Sequence, residues 1–360
     1  MAPGAAPHAL GNIKPPESAY ASLFPVFQAG NFGPFVPGYK GGNFWDGRAE
    51  GCGKIGQPCP VGDGAHSETI TAADLKLPPG KAGYVRYLGP TADQALNPFP
   101  NAVEQNIREK NVCQRVKTAK YKDLYVEAFG ELIDCSPNPK SSPAYRTSYK
   151  RIATALAAYQ FSKDVNSFTS KRENVLAGNG TFEAQEQRGR DLFYGKARCS
   201  VCHDNGAGKD GRFNTYSDSL YHNLGLPYNP QIPGVAKGAK PGLTDHVTEV
   251  AAGHFKTPPL VNIDKRENPG FVKAYMHNGY FTSLKRVVHF YNTRDVLDPC
   301  SFDATDKQAE TLNCWPTPEF DNGTVAVGVV GNLQLGDGEE DDLVAYLKTL
   351  TDQFTAEAPK

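Results

Sequence analysis

Cys199, Cys202 and His203 stand in the run Arg198-Cys199-Ser200-Val201-Cys202-His203, a C-x-x-C-H pattern. Two thiols at this spacing can add to the two vinyl groups of a haem while the histidine that follows takes the iron. With 8 cysteines and 8 histidines in 360 residues, chance supplies the pattern about 0.004 times per chain. A redox dithiol or half of a zinc site is the competing reading. Zinc wants a second ligand pair, and the chain has no second C-x-x-C. A thioredoxin-like dithiol wants a βαβ pattern ahead of it, whereas Thr181 to Tyr194 reads as a helix running straight into the motif. A haem iron leaves a second axial position to fill, and Met276 is the only methionine beyond Met1.

The elements that must position this motif are mainly helical, with long loops and few strands, because 36 Gly and 28 Pro break the chain often. Asp337 and Glu340 form a D-x-x-E variant of the capping box ahead of Leu343, Leu347 and Leu350. That predicts a final helix able to pack on the one before C-x-x-C-H. Ser142 before Pro143 predicts a helix start, with Tyr145, Tyr149, Ile152, Leu156 and Tyr159 on one face. Cys113 to Phe129 reads as one helix turning Val116, Tyr121, Leu124 and Phe129 inward. Residues 1–50 read as coil wrapped over something flat, and His66 reads as a solvent-facing loop residue. Ser, Asn and Gly concentrate between Asn166 and Gly180, which predicts one domain over 1–165 and a second over 166–360. Residues 204–250, with Pro227, Pro230, Pro233 and Pro241, are expected to wall the haem pocket.

A net charge of −1 gives no electrostatic case for nucleic acid or an anionic membrane as partner. No apolar run is long enough to span a membrane, and no signal peptide is visible near Met1. Covalent haem and surplus cysteines belong nevertheless to an oxidising compartment outside the cytoplasm. The chain is therefore expected to lack its natural N-terminus and to work in the periplasm. Proximity pairs the six remaining cysteines as Cys52 with Cys59, Cys113 with Cys135, and Cys300 with Cys314, among fifteen possible connectivities. The first pair would order a loop inserted near 50–90.

The chain resembles the bacterial di-haem cytochrome c peroxidases, and within them the MauG-like branch. The likeness spans nearly the whole chain. It rests on N-F-W-D-G-R-A from Asn43, D-Q-A-L-N-P-F-P-N-A-V-E-Q-N from Asp93, C-S-V-C-H, F-K-T-P-P-L-V-N from Phe255, Y-M-H-N-G from Tyr275, and H-F-Y-N-T-R-D-V from His289. The resemblance implies two cytochrome c-like helical domains. It makes the C-x-x-C-H at 199–203 the second of two haem sites, with the first motif expected upstream of Met1. Gly11 to Ala21 resembles the stretch that follows that first motif in relatives. One covalent haem c is thus expected in this chain, and a second haem in a full-length family member.

The same resemblance assigns roles. Glu104 matches the family's acid-base carboxylate, Gln94 the distal amide beside it, and Pro98 a neighbouring pocket position. Peroxide heterolysis needs one group that takes the proton from one oxygen and delivers it to the other, and a partly desolvated carboxylate can do both. Trp45 matches the tryptophan between the two haems, where an oxidisable indole shortens electron steps. Tyr291 occupies the second axial position, fifteen residues after Met276. Electron-relay peroxidases put methionine there and MauG-like members tyrosine. A phenolate is a hard anionic donor that lowers the potential and suits storage of oxidising equivalents. Met276, His277 and His289 remain the alternatives, or an open site. The family's calcium site has an asparagine at the position of Lys14 and carbonyls at those of Val272 and Ala274. A lysine cannot ligate calcium, which puts that ion in doubt here. Val261 stands where the family has an arginine near a haem propionate.

The function these readings imply is a periplasmic haem oxidoreductase. It would reduce hydrogen peroxide with electrons from a small cytochrome or copper protein, or oxidise a protein substrate. The other class of reading is a mono-haem electron-transfer or binding protein that keeps the fold without the peroxide-reacting haem.

Overall fold

Four of the described helices start on a side chain that their local sequence supplies. The computed structural model describes residues 5, 10–33, 37–54, 64–137, 144–266, 268 and 270–353. Among them lie ten α-helices: α1 Ala72–Leu75, α2 Pro90–Ala95, α3 Glu109–Thr118, α4 Lys122–Phe129, α5 Ala144–Gln160, α6 Lys171–Leu176, α7 Ala184–Tyr194, α8 Leu284–Thr293, α9 Asp306–Leu312 and α10 Asp337–Lys348. Thr71, Ser170, Ser283 and Thr305 cap α1, α6, α8 and α9 with side-chain oxygens that accept a first-turn N–H. Strands are few and two residues long. Gln28–Ala29 (β1) pairs antiparallel with Tyr39–Lys40 (β2), and Tyr221–His222 (β3) antiparallel with Phe255–Lys256 (β4). Pro299–Cys300 (β5) runs parallel to Trp315–Pro316 (β6).

α5 is the centre of the first half. Its residues Ser148 to Thr154 are buried without interruption, so the helix is surrounded rather than one-sided there. Arg151 donates through Nε to Leu75 O and through Nη2 to Lys76 O, both at 2.7 Å, and so caps the C-terminal end of α1. Tyr149 and Ile152 are buried as expected, but Leu156 and Tyr159 are exposed, while Ala157 between them is fully buried on another face of the helix. The proposed cap at Ser142 and Pro143 lies outside the described residues.

The single helix expected from Cys113 to Phe129 is two helices, α3 and α4, broken at Ala119, whose backbone is extended. A continuous helix would carry Phe129 about 24 Å along its axis from Cys113. Folding back instead puts Val112, Cys113, Tyr125, Phe129, Ile133 and Cys135 into one apolar cluster. A disulfide joins Cys113 to Cys135, with an S–S distance of 2.09 Å. The break also turns Tyr121 and Leu124 to solvent, against expectation.

In the second half α7 and α10 cross at contact distance. Gly189 sits at the crossing, where a Cβ would lie 1.9 Å from Asp342 O. Arg188 grips the Asp342 carboxylate with two hydrogen bonds of 2.7 and 2.8 Å. Leu343, Leu347 and Leu350 are buried with Phe193 and Tyr346 in the cluster that α7, α8 and α10 share. The cap of α10 differs from the sequence reading. Glu339 accepts the Gly336 N–H at 2.9 Å, while Glu340 turns inward to His289 and Asn292.

The described residues among the first fifty are mostly coil, much of it laid against the second half. Phe27 and Tyr39 pack with Tyr221, Leu243, Val247 and Val250. Tyr20 is fully buried among residues of the α7–α10 cluster, and its hydroxyl donates to Asp352 at 2.6 Å. A second disulfide, Cys300 to Cys314, closes the loop that contains α9. Cys59 lies outside the described residues, and with it the expected pairing of Cys52. Among the described residues no helix is long and apolar enough to cross a membrane.

Candidate functional site

α7 ends at Gly195, and Arg198, with φ 55°, reverses the chain into the short turn Cys199–Val201. The turn closes when His203 N–H donates to Cys199 O at 2.9 Å. An apolar pocket opens beside it, walled by Phe193, Leu226, Phe255, Val287, Leu343 and Leu347, and Cys199, Cys202 and His203 all line it. These two cysteines are the free thiols of the described chain. Burial pushes the Cys199 thiol up to about 12, so without a bound group it is a neutral thiol at pH 7.

His203 Nδ1 lies 2.8 Å from Tyr216 O. Donation to that carbonyl leaves Nε2 as the lone-pair nitrogen and fixes the ring plane, the arrangement a metal-binding imidazole requires. Burial also holds the imidazole below its ordinary pKa, and hence neutral. Tyr216 could not be foreseen, since a main-chain carbonyl partner has no residue signature.

Tyr291 reaches the same pocket from α8, as does Met276 from the turn Tyr275–Gly279. On α8 the neighbours of Tyr291 point elsewhere. Phe290 is fully buried against Trp315 at 5.3 Å, and Asn292 bonds Leu335 O and Glu340. The Tyr291 hydroxyl faces the Met276 sulfur at 4.0 Å, a long contact to a weak acceptor. Burial raises the phenol well above its ordinary pKa. Met276 has φ 67°, a left-handed conformation that costs energy without a glycine. His289 is held by Glu340 at 3.0 Å and is not among the pocket residues. His277 lines the pocket but stacks flat on Phe255, centroids 3.4 Å apart, and burial holds it down to about 3.

These residues fit a haem c. Two free thiols and an oriented imidazole border an apolar space, and a half-buried phenol with a thioether beside its oxygen borders the same space. Lys14, Arg198 and Lys273 supply cations around it, whereas Val261 is buried in the apolar cluster and supplies none. Lys256 donates to Gly42 O and is pushed down to about 7 by burial. At the position expected to oppose calcium, the Lys14 ammonium lies 3.8 Å from Glu17, which Lys273 approaches at 3.4 Å.

Trp45 is on the pocket wall, its Nε1 donating to Lys14 O at 2.7 Å and its ring 6.3 Å from that of His277. Two residues earlier, Asn43 donates to Gln94 Oε1 at 2.9 Å and to Thr91 Oγ1 at 3.2 Å. The turn Asn43–Ala49 thus connects the Gln94 helix, α2, to the pocket. Pro98 is half-buried just beyond α2, its carbonyl accepting Gln105 N–H at 3.1 Å. Glu104 is exposed, accepting from Asn101 Nδ2 at 2.7 Å, and not the partly desolvated carboxylate that the acid-base reading wants.

A family model described as di-haem cytochrome c peroxidase matches residues 5–181. Similarity to the methylamine utilization protein MauG of Paracoccus denitrificans continues through the C-x-x-C-H, at 28% identity over 355 residues, covering 95% of this chain and 75% of MauG. The cytochrome-c peroxidase IdrP1 of Denitromonas iodatirespirans is 30% identical over 186 residues, 47% of this chain and 45% of that protein. The chain thus spans about three quarters of MauG and the match covers under half of the peroxidase. In fold, the chain is similar to the diheme peroxidase BthA from Burkholderia thailandensis, with a TM-score of 0.64 over 98% of this chain and 75% of that one at 22% identity. With the pocket built as described and these likenesses running through it, the chain is a relative of the di-haem cytochrome c peroxidases over residues 5–181 and of MauG over 95% of its length.

Proposed function

We propose that the chain is a periplasmic c-type haem oxidoreductase that draws oxidising equivalents from hydrogen peroxide and passes them to a protein substrate or takes electrons from a small cytochrome or copper protein. The observation that carries this reading is that Cys199, Cys202, His203 and Tyr291 line one pocket with Trp45 on its wall. Bound there through Cys199 and Cys202, haem c supplies a one-electron redox centre. His203, kept in register by Tyr216 O, would hold the iron through Nε2, and Tyr291 would hold it through its phenolate oxygen. Trp45 would carry electrons between the pocket and the Gln94 side. Gln94, Pro98 and Glu104 do not line the pocket of Cys199 and Cys202. They would orient peroxide (Gln94, Pro98) and move the proton between its oxygens (Glu104) only with the family's first haem held on that side to supply the electrons. Within this reading residues 1–165 and 166–360 are the two family domains, and the chain as given carries one covalent haem.

Turnover of hydrogen peroxide by protein carrying both family haems, with a reduced small cytochrome as donor, tests it. Glu104→Gln should lower the rate on the order of a hundredfold or more, since an amide cannot accept the peroxide proton. The exposure of Glu104 favours one other reading, a mono-haem electron-transfer protein. That reading gains if the parent protein has no peroxide turnover yet cycles reversibly between two oxidation states.

A further inference from the structure

Away from the haem pocket, Glu50, His66 and His246 converge from three separate stretches of chain. We propose that they bind a divalent transition-metal ion of the zinc class, in a second metal site that joins Glu50 and His66 to the turn at Leu243–Asp245. Glu50 Oε1 lies 2.7 Å from His246 Nε2 and 3.7 Å from His66 Nδ1, and the three ligand atoms fall within 4.8 Å of one another. Tetrahedral zinc with bonds of about 2.1 Å sets its ligands roughly 3.4 Å apart, a value these two separations bracket.

Glu50 and His246 are 2% and 0% exposed, yet Glu50 Oε1 and His246 Nε2 make no hydrogen bond of acceptable geometry, to each other or to any other group of the described chain. Two buried polar atoms aimed at one point without a partner are costly unless a cation or proton lies between them. His246 Nδ1 lies 3.0 Å from Ala65 O. Donation to that carbonyl makes Nε2 the lone-pair nitrogen, so two acceptors would otherwise face each other at 2.7 Å. An outer-shell carbonyl that sets a ligand's tautomer is the usual companion of a metal-binding histidine.

The surroundings hold the donors in place. Phe27 packs edge-on against His246 at 4.8 Å, the His66 and His246 rings meet at 4.9 Å and 84°, and Leu243 and Val247 beside them are fully buried. Ala65 N–H donates to Asp245 O at 2.6 Å and Gly64 N–H to His246 O at 3.1 Å, which docks the loop before any ion binds. The His66 side chain is 40% exposed, leaving the outer position open to water. Two imidazoles and one carboxylate with an open fourth position suit zinc, and copper(II) would compete for the same donors.

The test uses the full-length holo-protein, stripped with a chelator and titrated with zinc alone against a competing chelator, with zinc counted per chain. X-ray absorption at the zinc edge reads the ligands without interference from haem iron. One zinc per chain with nitrogen and oxygen neighbours including two imidazoles is expected. His66→Ala, on the exposed side where folding is not at risk, should weaken binding on the order of a hundredfold, and Glu50→Gln likewise, with the haem spectrum unchanged in both. Failure to retain stoichiometric zinc would overturn the site and leave a Glu50–His246 proton pair instead. Binding indifferent to His66→Ala would also overturn it, assigning the zinc to another place.

Discussion

The Tyr291 hydroxyl and the Met276 sulfur, fifteen residues apart in sequence, face each other at 4.0 Å across the wall of one pocket. Both candidates for the second axial position therefore address the same spot. Tyr291 comes from a helix whose other faces are pinned by Phe290 and Asn292, whereas Met276 comes from a turn with a strained backbone. Tyr291→Phe should change the iron's coordination and spin state in absorption and electron paramagnetic resonance spectra, and Met276→Leu should leave both nearly unchanged. A sulfur-to-iron charge-transfer band in the parent that vanishes in the Leu variant would reverse the assignment.

Gly189 makes room for Asp342 O where α7 crosses α10, directly behind the C-x-x-C-H turn. Alanine gains about 1 kcal/mol in helix propensity. It also forces a helix pair apart in a packed core, which costs roughly 1–3 kcal/mol. Gly189→Ala should thus lower the denaturation midpoint. An unchanged or raised midpoint would mean that the two helices are not in contact there.

The Cys300–Cys314 bond holds β5 beside β6, which seats Trp315 against Phe290 and under Arg286 on the back of α8. Replacing both cysteines with serine should cost roughly 3 kcal/mol in the chain-entropy model for a loop of this length. Proteolysis without reduction should recover the two peptides linked. Recovery of Cys300 joined to Cys113 or Cys135 would contradict the pairing.

Asp93 is buried with its carboxylate accepting the N–H groups of Gly51 and Ile70 at 2.8 and 2.9 Å, and burial pushes it up to about 7. Between the unfolded value near 3.8 and about 7 the folded state binds the extra proton. Raising the pH through that window should therefore remove stability, by at most about 1.4 kcal/mol per pH unit, with no further loss above it. Denaturant unfolding in chelator at several pH values, for the parent and Asp93→Asn, isolates the effect. The parent should lose ground to the variant as pH rises from 4 to 7. A gap that stays flat or widens in the parent's favour would show that Asp93 ionises normally.

What the sequence made legible was local. C-x-x-C-H, the helix leading into it, and the Leu343, Leu347, Leu350 face all follow from spacing along one stretch. The two described disulfides join cysteines near each other in sequence. Periodicity could not show that α3 and α4 separate at Ala119, because the gain comes from Phe129 returning to Cys113, a tertiary contact. It likewise misplaced Leu156 and Tyr159, since a face is buried only where neighbours reach it. The cap of α10 went to Glu339 because Glu340 is taken by His289 and Asn292. Glu50, His66 and His246 carry no spacing signal, and only folding brings their donors together.

The haem assignment itself is tested most directly by the intact mass, under denaturing conditions, of protein matured where haem c is attached, compared with Cys199→Ala/Cys202→Ala. One haem retained by the parent chain and none by the double variant is the expected result. A parent mass without haem, or with two, or a double variant that still carries haem, would contradict the assignment of Cys199, Cys202 and His203 as the site of covalent attachment.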